Sequence, residues 1–449
     1  MKLFTIAAEG AQAAQNQLSV AAGNIANQQT EGYSRQQITQ SASVVSGVGS
    51  GVNSSDPQRI TDQSVNQALW HSQTASGYYT SMNSWGTSLE QVISTSTSQP
   101  SGLLTDFFNS LSALTSEPDS SAYRQQLLTS ATTLATGLSQ TSQTLADQKS
   151  SVISQQNATT DQINQLTSQI AALNQQIQRT GSGSESNTLQ DQRDQQVKTL
   201  SSLMSVSVAK TAQGSYTLTA ANGATLVDGK QAAVVSSSQG SGGQWQLNIS
   251  NNPQTSTLSS QVGGQLGALY DYQSQVLTPL QNQVSGLMQS VSSQVNDTLA
   301  QGYDLQGDRG TALFSVTTRD SGVTVMNTTG LQASALALSS DKSSSANGDN
   351  LAALIALQTT KSDSTSSSLS DQAQAVTSVL AQANSQSSSQ LTAAEAISDQ
   401  WQQQRDNLSA VNKDEEAVNL QTYLQSYQAN MKVITVGNQL FADLLSAFS

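Results

Sequence analysis

The sequence has no cysteine among its 449 residues and a single histidine, His71. The first absence excludes disulfide scaffolds, thiolate metal sites and thiol nucleophiles. The second excludes multi-histidine metal centres and leaves any Ser-His-Asp arrangement only one imidazole to draw on. That imidazole sits in Leu69-Trp70-His71-Ser72, which reads as part of an amphipathic helix. Charge is scarce too, at 10% of residues against about 25% in ordinary soluble domains. The 17 basic and 30 acidic residues give a net charge of -13, and no cluster of Lys and Arg is available to displace counterions, so nucleic acid is not an expected partner. No run approaches the roughly 20 apolar residues of a membrane-spanning helix, and membrane insertion is not expected. Met1 to Gly10 carries Lys2 and Glu9 with no continuous apolar stretch, so a cleavable signal peptide is not expected there. Carboxylate pairs such as Glu415 and Glu416 point about 100° apart on a helix and do not face each other across a substrate. Neither catalysis nor a cofactor is expected.

Serine (75) and glutamine (62) dominate instead, with hydrophobic residues at 36%. This composition suits long, thin elements that bury narrow apolar stripes. Leu3 to Asn27 reads as a helix with two shallow rows, Leu3, Ile6, Gly10, Ala13, Gln17, Val20 and Asn24, and Ala7, Ala11, Ala14, Leu18, Ala21 and Ile25. Such small side chains permit close helix packing, but the helix needs a partner to hold it. At the other end, Leu420, Leu424, Tyr427, Met431, Ile434, Asn438, Phe441, Leu445 and Phe448 follow a 3-4-3-4 spacing. An apolar stripe running to Phe448, where chains usually fray, implies that something covers it.

Between the ends, Leu127, Ala131, Leu134, Leu138 and Leu145 form one stripe, and Ile163, Leu166, Ile170, Leu173 and Ile177 another. After a break over Gly181 to Asn187, Thr188 to Met204 reads as helical, and Val276, Leu280, Val284, Leu287, Val291, Val295 and Leu299 form a third long stripe. Lys361 to Ser370 and Ser385 to Ser389 are Ser-rich and expected to be flexible. Val206 to Ile249 departs from the helical pattern. Its alternating segments are separated by Gln213-Gly214, Asn222-Gly223, Asp228-Gly229 and Gly240 to Gly243, which predicts a small β domain inserted between helices. Shorter β segments are predicted over Ser34 to Val52 and Leu313 to Met326.

The block Asn24-Ile25-Ala26-Asn27-Gln28-Gln29-Thr30-Glu31-Gly32-Tyr33-Ser34-Arg35-Gln36 resembles the N-terminal signature of bacterial flagellar axial proteins. Its ending, Gly-Tyr-Ser-Arg-Gln, is similar to that of the first hook-associated protein family of the hook-filament junction. Gly47-Val48-Gly49-Ser50-Gly51-Val52 with Arg59-Ile60-Thr61-Asp62 resembles the next block of that family. Val411-Asn412-Lys413-Asp414-Glu415-Glu416-Ala417-Val418-Asn419-Leu420 resembles its C-terminal block, as does Tyr427-Gln428-Ala429. Gly264 to Tyr272 and Gln301 to Asp304 fit its interior. Family members usually carry Pro where Glu31 stands, so the turn before Gly32 is without the φ restriction Pro would supply.

The expected fold is α+β: a mostly helical, elongated multidomain protein with a long helical bundle and an inserted antiparallel β domain. The resemblance implies that the chain ends pair as a coiled coil. The expected domains are residues 1–32 with 405–449, residues 33–204 with 264–404, and residues 205–263. The expected assembly seam comprises Leu3, Ile6, Leu18, Ile25, Leu420, Leu424, Tyr427, Met431, Ile434, Phe441, Leu445 and Phe448. Arg35 is assigned no pairwise partner, and Asp414 to Glu416 reads as the exposed face of a helix start. The resemblance further implies an extracellular flagellar subunit exported by the type III route, self-associating in a helical or ring-like array. Its implied partners are the hook protein, a second junction protein next to the filament, and an export chaperone. The alternatives are another flagellar axial protein or a secreted type III coiled-coil tip protein or adhesin.

Overall fold

The computed structural model describes residues 2–45, 48–94, 99–239, 245–251, 253–258, 261–320, 322–361 and 366–447. In chain order the elements are α1 (Lys2–Ala26), β1 (Gln36–Gln37), β2 (Gln40–Val45), β3 (Val48–Ser54), β4 (Gln58–Arg59), α2 (Gln63–Ile93), α3 (Pro100–Ala113), α4 (Ser121–Thr180) and α5 (Ser184–Leu203). Then come β5 (Val206–Lys210), β6 (Tyr216–Ala220), β7 (Thr225–Asp228), β8 (Gln231–Ala232), β9 (Val234–Gln239), β10 (Trp245–Asn251) and β11 (Gln254–Leu258). The chain finishes with α6 (Gly264–Asp271), a π-helical turn (Tyr272–Leu277), α7 (Thr278–Gln301), β12 (Phe314–Thr318), β13 (Thr324–Thr328), α8 (Asp349–Ala356), α9 (Leu369–Ser409) and α10 (Lys413–Ala447). All strand pairings among the described residues are antiparallel, and the class is helical α+β, as expected. The chain forms two compact units, Met1–Tyr78 with Thr160–Gly264 and Ala393–Ser449, and Tyr79–Thr159 with Gln265–Thr392.

The second unit is a helical core. Leu127, Ala131, Leu134, Leu138 and Leu145 of α4 are buried with Leu280, Val284, Leu287, Val291, Val295 and Leu299 of α7, so both predicted stripes face inward. Phe107 and Phe108 of α3 contact edge to face at 5.4 Å between centroids, and Phe107 meets Phe314 of β12 at 5.8 Å. Polar side chains on the helices hold the β12–β13 hairpin. Asn296 of α7 donates to Phe314 O (2.8 Å) and accepts from Phe314 N (3.1 Å), while Ser139 of α4 donates to Met326 O and accepts from Met326 N. Arg124 is fully buried and donates to the carbonyls of Pro118 and Leu336 at 2.7 and 2.8 Å.

In the first unit, Ile163, Ile170 and Ile177 of α4 and Val197 and Leu200 of α5 are buried along with Leu218, Leu226, Val227, Leu247 and Ile249 of the β region. That region comprises a four-stranded sheet, β5-β6-β7-β8, and a three-stranded sheet, β9-β10-β11. Gly214, Gly223 and Gly229 take positive φ at the predicted turns, where glycine has no Cβ to clash. The predicted turn at Gly240 to Gly243 lies outside the described residues, as do Gly47 and residues 362–365 of the first Ser-rich stretch.

Two expectations are corrected. Ser385 to Ser389 is not a flexible stretch but part of α9. Ser387 is buried, and Asn384 donates to Glu90 Oε2 at 2.7 Å; tertiary contacts outweigh the weak helix preference of serine. Helix α5 begins at Ser184, inside the predicted Gly/Ser break. Ser368 does cap α9: its hydroxyl accepts from Asp371 N at 3.1 Å, and Asp371 accepts in return from Ser368 N, forming a capping box. The Phe107 ring joins α3 to β12, so Phe107→Ala is expected to lower the stability of this unit by about 3–5 kcal/mol, measured by urea unfolding.

Candidate functional site

The terminal helices pair antiparallel within the first unit. A Cβ placed on Gly437 of α10 would fall 2.7 Å from Phe4 Cζ of α1, and one on Gly10 would fall 2.7 Å from Asn430 Oδ1. Glycine therefore sets the distance between the helices at these two points. The buried face of α1 carries Ala7, Ala11, Ala13, Ala14 and Ala21. On α10, Glu416, Leu420, Tyr423, Tyr427, Asn430, Ile434 and Gly437 are buried or half-buried at three- and four-residue spacing. With Gly437 opposite Phe4, the remainder of α10 to Ala447 continues past the start of α1.

The expected seam residues thus divide. Leu420, Tyr427 and Ile434 share the face of α10 that carries Asn430 and Gly437, and Leu18 and Ile25 of α1 are half-buried. Leu3, Ile6, Leu424, Met431, Phe441 and Leu445 are exposed, Leu3 at 60% and Phe441 at 61%. They are joined by Val433, Val436, Leu440 and Leu444, also exposed, which extends the apolar surface beyond the sequence expectation. Phe448 lies outside the described residues.

The Asn24–Gln36 block forms the joint between α1 and the rest of the unit. Asn24 is buried; its amide donates to Gln36 O (2.9 Å), and its carbonyl accepts from Gln36 N (3.0 Å) and the Tyr33 hydroxyl (2.9 Å). Ile25 is half-buried and Ala26 exposed at the end of α1. Asn27 donates to Gly23 O. Thr30 to Tyr33 closes a turn with Tyr33 N donating to Thr30 O (3.1 Å) and Gly32 at φ +81°, the type II pattern that favours glycine at its third position. In place of proline, Glu31 accepts from Gln195 of α5 at 3.1 Å. Arg405 of α9 donates to the carbonyls of Gly32 (2.8 Å) and Tyr33 (3.1 Å). Burial, with the charges of Asp191 and Glu416, pushes the Tyr33 phenol up to about 12.

The C-terminal block closes the same joint. Asn412 caps α10, its side-chain oxygen accepting from Asp414 N at 3.0 Å. Arg35, given no partner from sequence, pairs with Glu415 at 2.8 Å, and its backbone N–H donates to Ser409 O. Asp414 and Glu415 are exposed, but Glu416, read as part of a solvated face, is buried. It lies on the side of α10 that α1 covers, close to Asn24.

A buried ionic cluster underlies the block. Asp191 of α5 accepts from Ser34 N (3.1 Å) and pairs with Arg59 Nε at 2.8 Å, while Arg59 also pairs with Asp194. Burial pushes the Asp191 carboxyl up, against the pull of Arg59. Asn187 donates to Gln36 Oε1 (3.1 Å). Arg193 stacks 3.5 Å from the Tyr216 ring centroid and donates to Asn174 Oδ1 and Gly214 O. Sequence reading missed Asp191, Arg193, Asp194 and Arg405. In a chain with so little charge, the compact run Asp191-Gln192-Arg193-Asp194 was the available signal.

The fold and this joint define a helical α+β protein whose two ends pair with each other. Residues 87–314 match the family model described as the flagellar hook-associated protein FlgK helical domain, and residues 402–447 match the C-terminal model of the flagellar basal body rod FlgEFG proteins. The chain belongs to the FlgK family of flagellar hook-associated proteins. Flagellar hook-associated protein 1 of Escherichia coli is 29% identical over 327 residues, covering 70% of this chain and 60% of the relative; its Salmonella typhimurium counterpart is 30% identical, covering 70% and 59%. The chain thus matches about three fifths of the length of these relatives. The fold is also similar to the flagellar hook junction protein FlgK from Burkholderia pseudomallei, with a TM-score of 0.64 at 19% identity over 77% of this chain and 100% of that one.

Asn24→Ala would leave the buried Gln36 N–H and the Tyr33 hydroxyl without their acceptor. A loss of about 2–4 kcal/mol is expected, with hydrogen exchange at the Gln36 amide accelerated well beyond that at amides of α7.

Proposed function

We propose that the chain is a structural subunit of the bacterial flagellum, exported by the flagellar type III system, that forms the junction between hook and filament. The observation that carries this reading is the apolar surface of the paired terminal helices, Leu3 and Ile6 with Val433, Val436, Leu440, Phe441, Leu444 and Leu445, all exposed. A contiguous surface of this kind on a monomer marks an interaction site. Its occupant on this reading is the same surface of neighbouring copies, in a heterologous array that does not close on itself. The role is mechanical rather than chemical. Residues 1–32 with 405–449 form the assembling domain, residues 33–204 with 264–404 the helical domain, and residues 205–263 a β domain. Hook protein on one side, a second junction protein on the filament side and an export chaperone are the partners that follow.

The reading favours the junction over other axial positions because the FlgK helical-domain match spans residues 87–314, whereas the rod-type match is confined to residues 402–447. The test uses the full chain carrying Phe441→Ser and Leu445→Ser, two exposed positions whose change leaves the α1–α10 contact intact. Secretion at the normal level with at least tenfold fewer filaments on hooks, equivalent to about 1.4 kcal/mol, is the expected result. Normal filament attachment, in this variant and in one truncated before Leu424, would overturn the proposal.

A further inference from the structure

Asp191 and Glu416 are the two buried carboxylates among the described residues. Asp191 has the Arg59 guanidinium at 2.8 Å. Glu416 has no basic group within 4.0 Å among the described residues. The nearby cation, Arg35, is paired at 2.8 Å with Glu415. Glu416 instead has the neutral side chains of Asn24 and Asn419 close by. It lies at a polar cleft of about 80 Å³ lined also by Gln17, Val20, Arg35, Gln36 and Tyr423.

Facing Glu416 from α1 are Gln17, Val20, Ala21 and Asn24, none of them titratable; from β1, Gln36 and Gln37. The preceding loop supplies Tyr33 and Arg35, and α10 itself supplies Glu415 and Tyr423. A buried ionised carboxylate whose nearby cation is already paired with another carboxylate costs more than a protonated one. Because Glu416 stands in the first turn of α10 and against the last turn of α1, that cost falls on the contact between the two chain ends.

We propose that Glu416 is a proton-responsive latch on the terminal helix pair: ionised, it loosens the docking of the first turns of α10 on α1, and protonated, it lets them close. Burial raises its carboxyl above the usual range, against Asn24, Asn419 and Arg35, which agrees with the geometry. The sign follows. Between the ordinary glutamate value near 4.3 and the raised one, the docked pair holds a proton that the open chain has lost. Docking therefore strengthens as pH falls through the raised value, and the gain is complete below the ordinary one. At neutral pH the latch biases the free chain toward open ends.

The test follows amide exchange protection factors in α1 and in residues 413–430 of the unassembled full chain, from about pH 8 to about pH 4.5. The chains compared are the native one, Glu416→Gln and the exposed control Asp414→Asn. At the neutral end Glu416→Gln is expected to be severalfold more protected than the native chain. The gap should close toward the acidic end, and Asp414→Asn should show no such closing gap. Equal protection at every pH, lower protection of Glu416→Gln at neutral pH, or a gap that does not change with pH would overturn the latch. The measurement involves no assembly, so its outcome is separate from that of the filament-attachment test.

Discussion

The recurring interaction is a helix asparagine that grips both the N–H and the C=O of one residue outside its helix. Asn24 holds Gln36 of β1, Asn164 of α4 holds Val235 of β9, Asn174 of α4 holds Tyr216 of β6, and Asn296 of α7 holds Phe314 of β12. Each carboxamide supplies, at one residue, the two hydrogen bonds that a strand alongside would give, so a strand can be fixed to a helix at that point. In a chain short of large apolar side chains this matters for placement. Apolar burial is not directional, whereas a reciprocal amide pair fixes one residue at one height along a helix.

The joint at Asn24 is where this device meets the chain termini. Asn24 fixes β1 and the Tyr33 hydroxyl, Gln36 passes the constraint to Asn187, and Ser34 passes it to Asp191. Arg59 between Asp191 and Asp194 then anchors the block to α5. A buried ion pair of this kind adds little net stability against an apolar replacement, but removing one partner is costly because the other charge remains buried. Its role here is to admit one arrangement of the first loop against α5. Arg405 completes the enclosure by holding the Gly32 and Tyr33 carbonyls from α9.

Much of this was readable before the fold was known, and the limits have physical causes. The stripes of α4 and α7 have large aliphatic side chains at helical spacing, and these side chains are buried. The turn glycines Gly214, Gly223 and Gly229 announced themselves because positive φ is nearly their monopoly. The face α10 turns to α1 was less readable. Apolar spacing selected Leu420, Tyr427 and Ile434, which line the contact, together with Leu424, Met431 and Phe441, which are exposed, and it passed over Gly437, where the closest approach requires a residue without a side chain. Helix α9 was hidden by its serines, whose intrinsic preference is weak and whose order comes from contacts distant in sequence, such as Asn384 with Glu90. The burial of Glu416 was likewise invisible, since only the position of α1 determines it.

Alanine contacts also shape the terminal pair. An alanine side chain contributes one methyl, worth about 0.8 kcal/mol when buried, but it lets two helices approach closely enough for backbone and short polar groups to meet. Leucine or phenylalanine at Ala7, Ala11 or Ala14 would hold α10 away from Asn24. The close contact therefore keeps the Ala7 to Ala14 stretch of α1 small, and the larger side chains of the contact, Leu420, Tyr427 and Ile434, come from α10. Because α10 outruns α1, Leu440, Phe441, Leu444 and Leu445 have no place to be buried within the pair. The same geometry that brings the chain ends together thus creates the apolar surface they present to whatever docks on them.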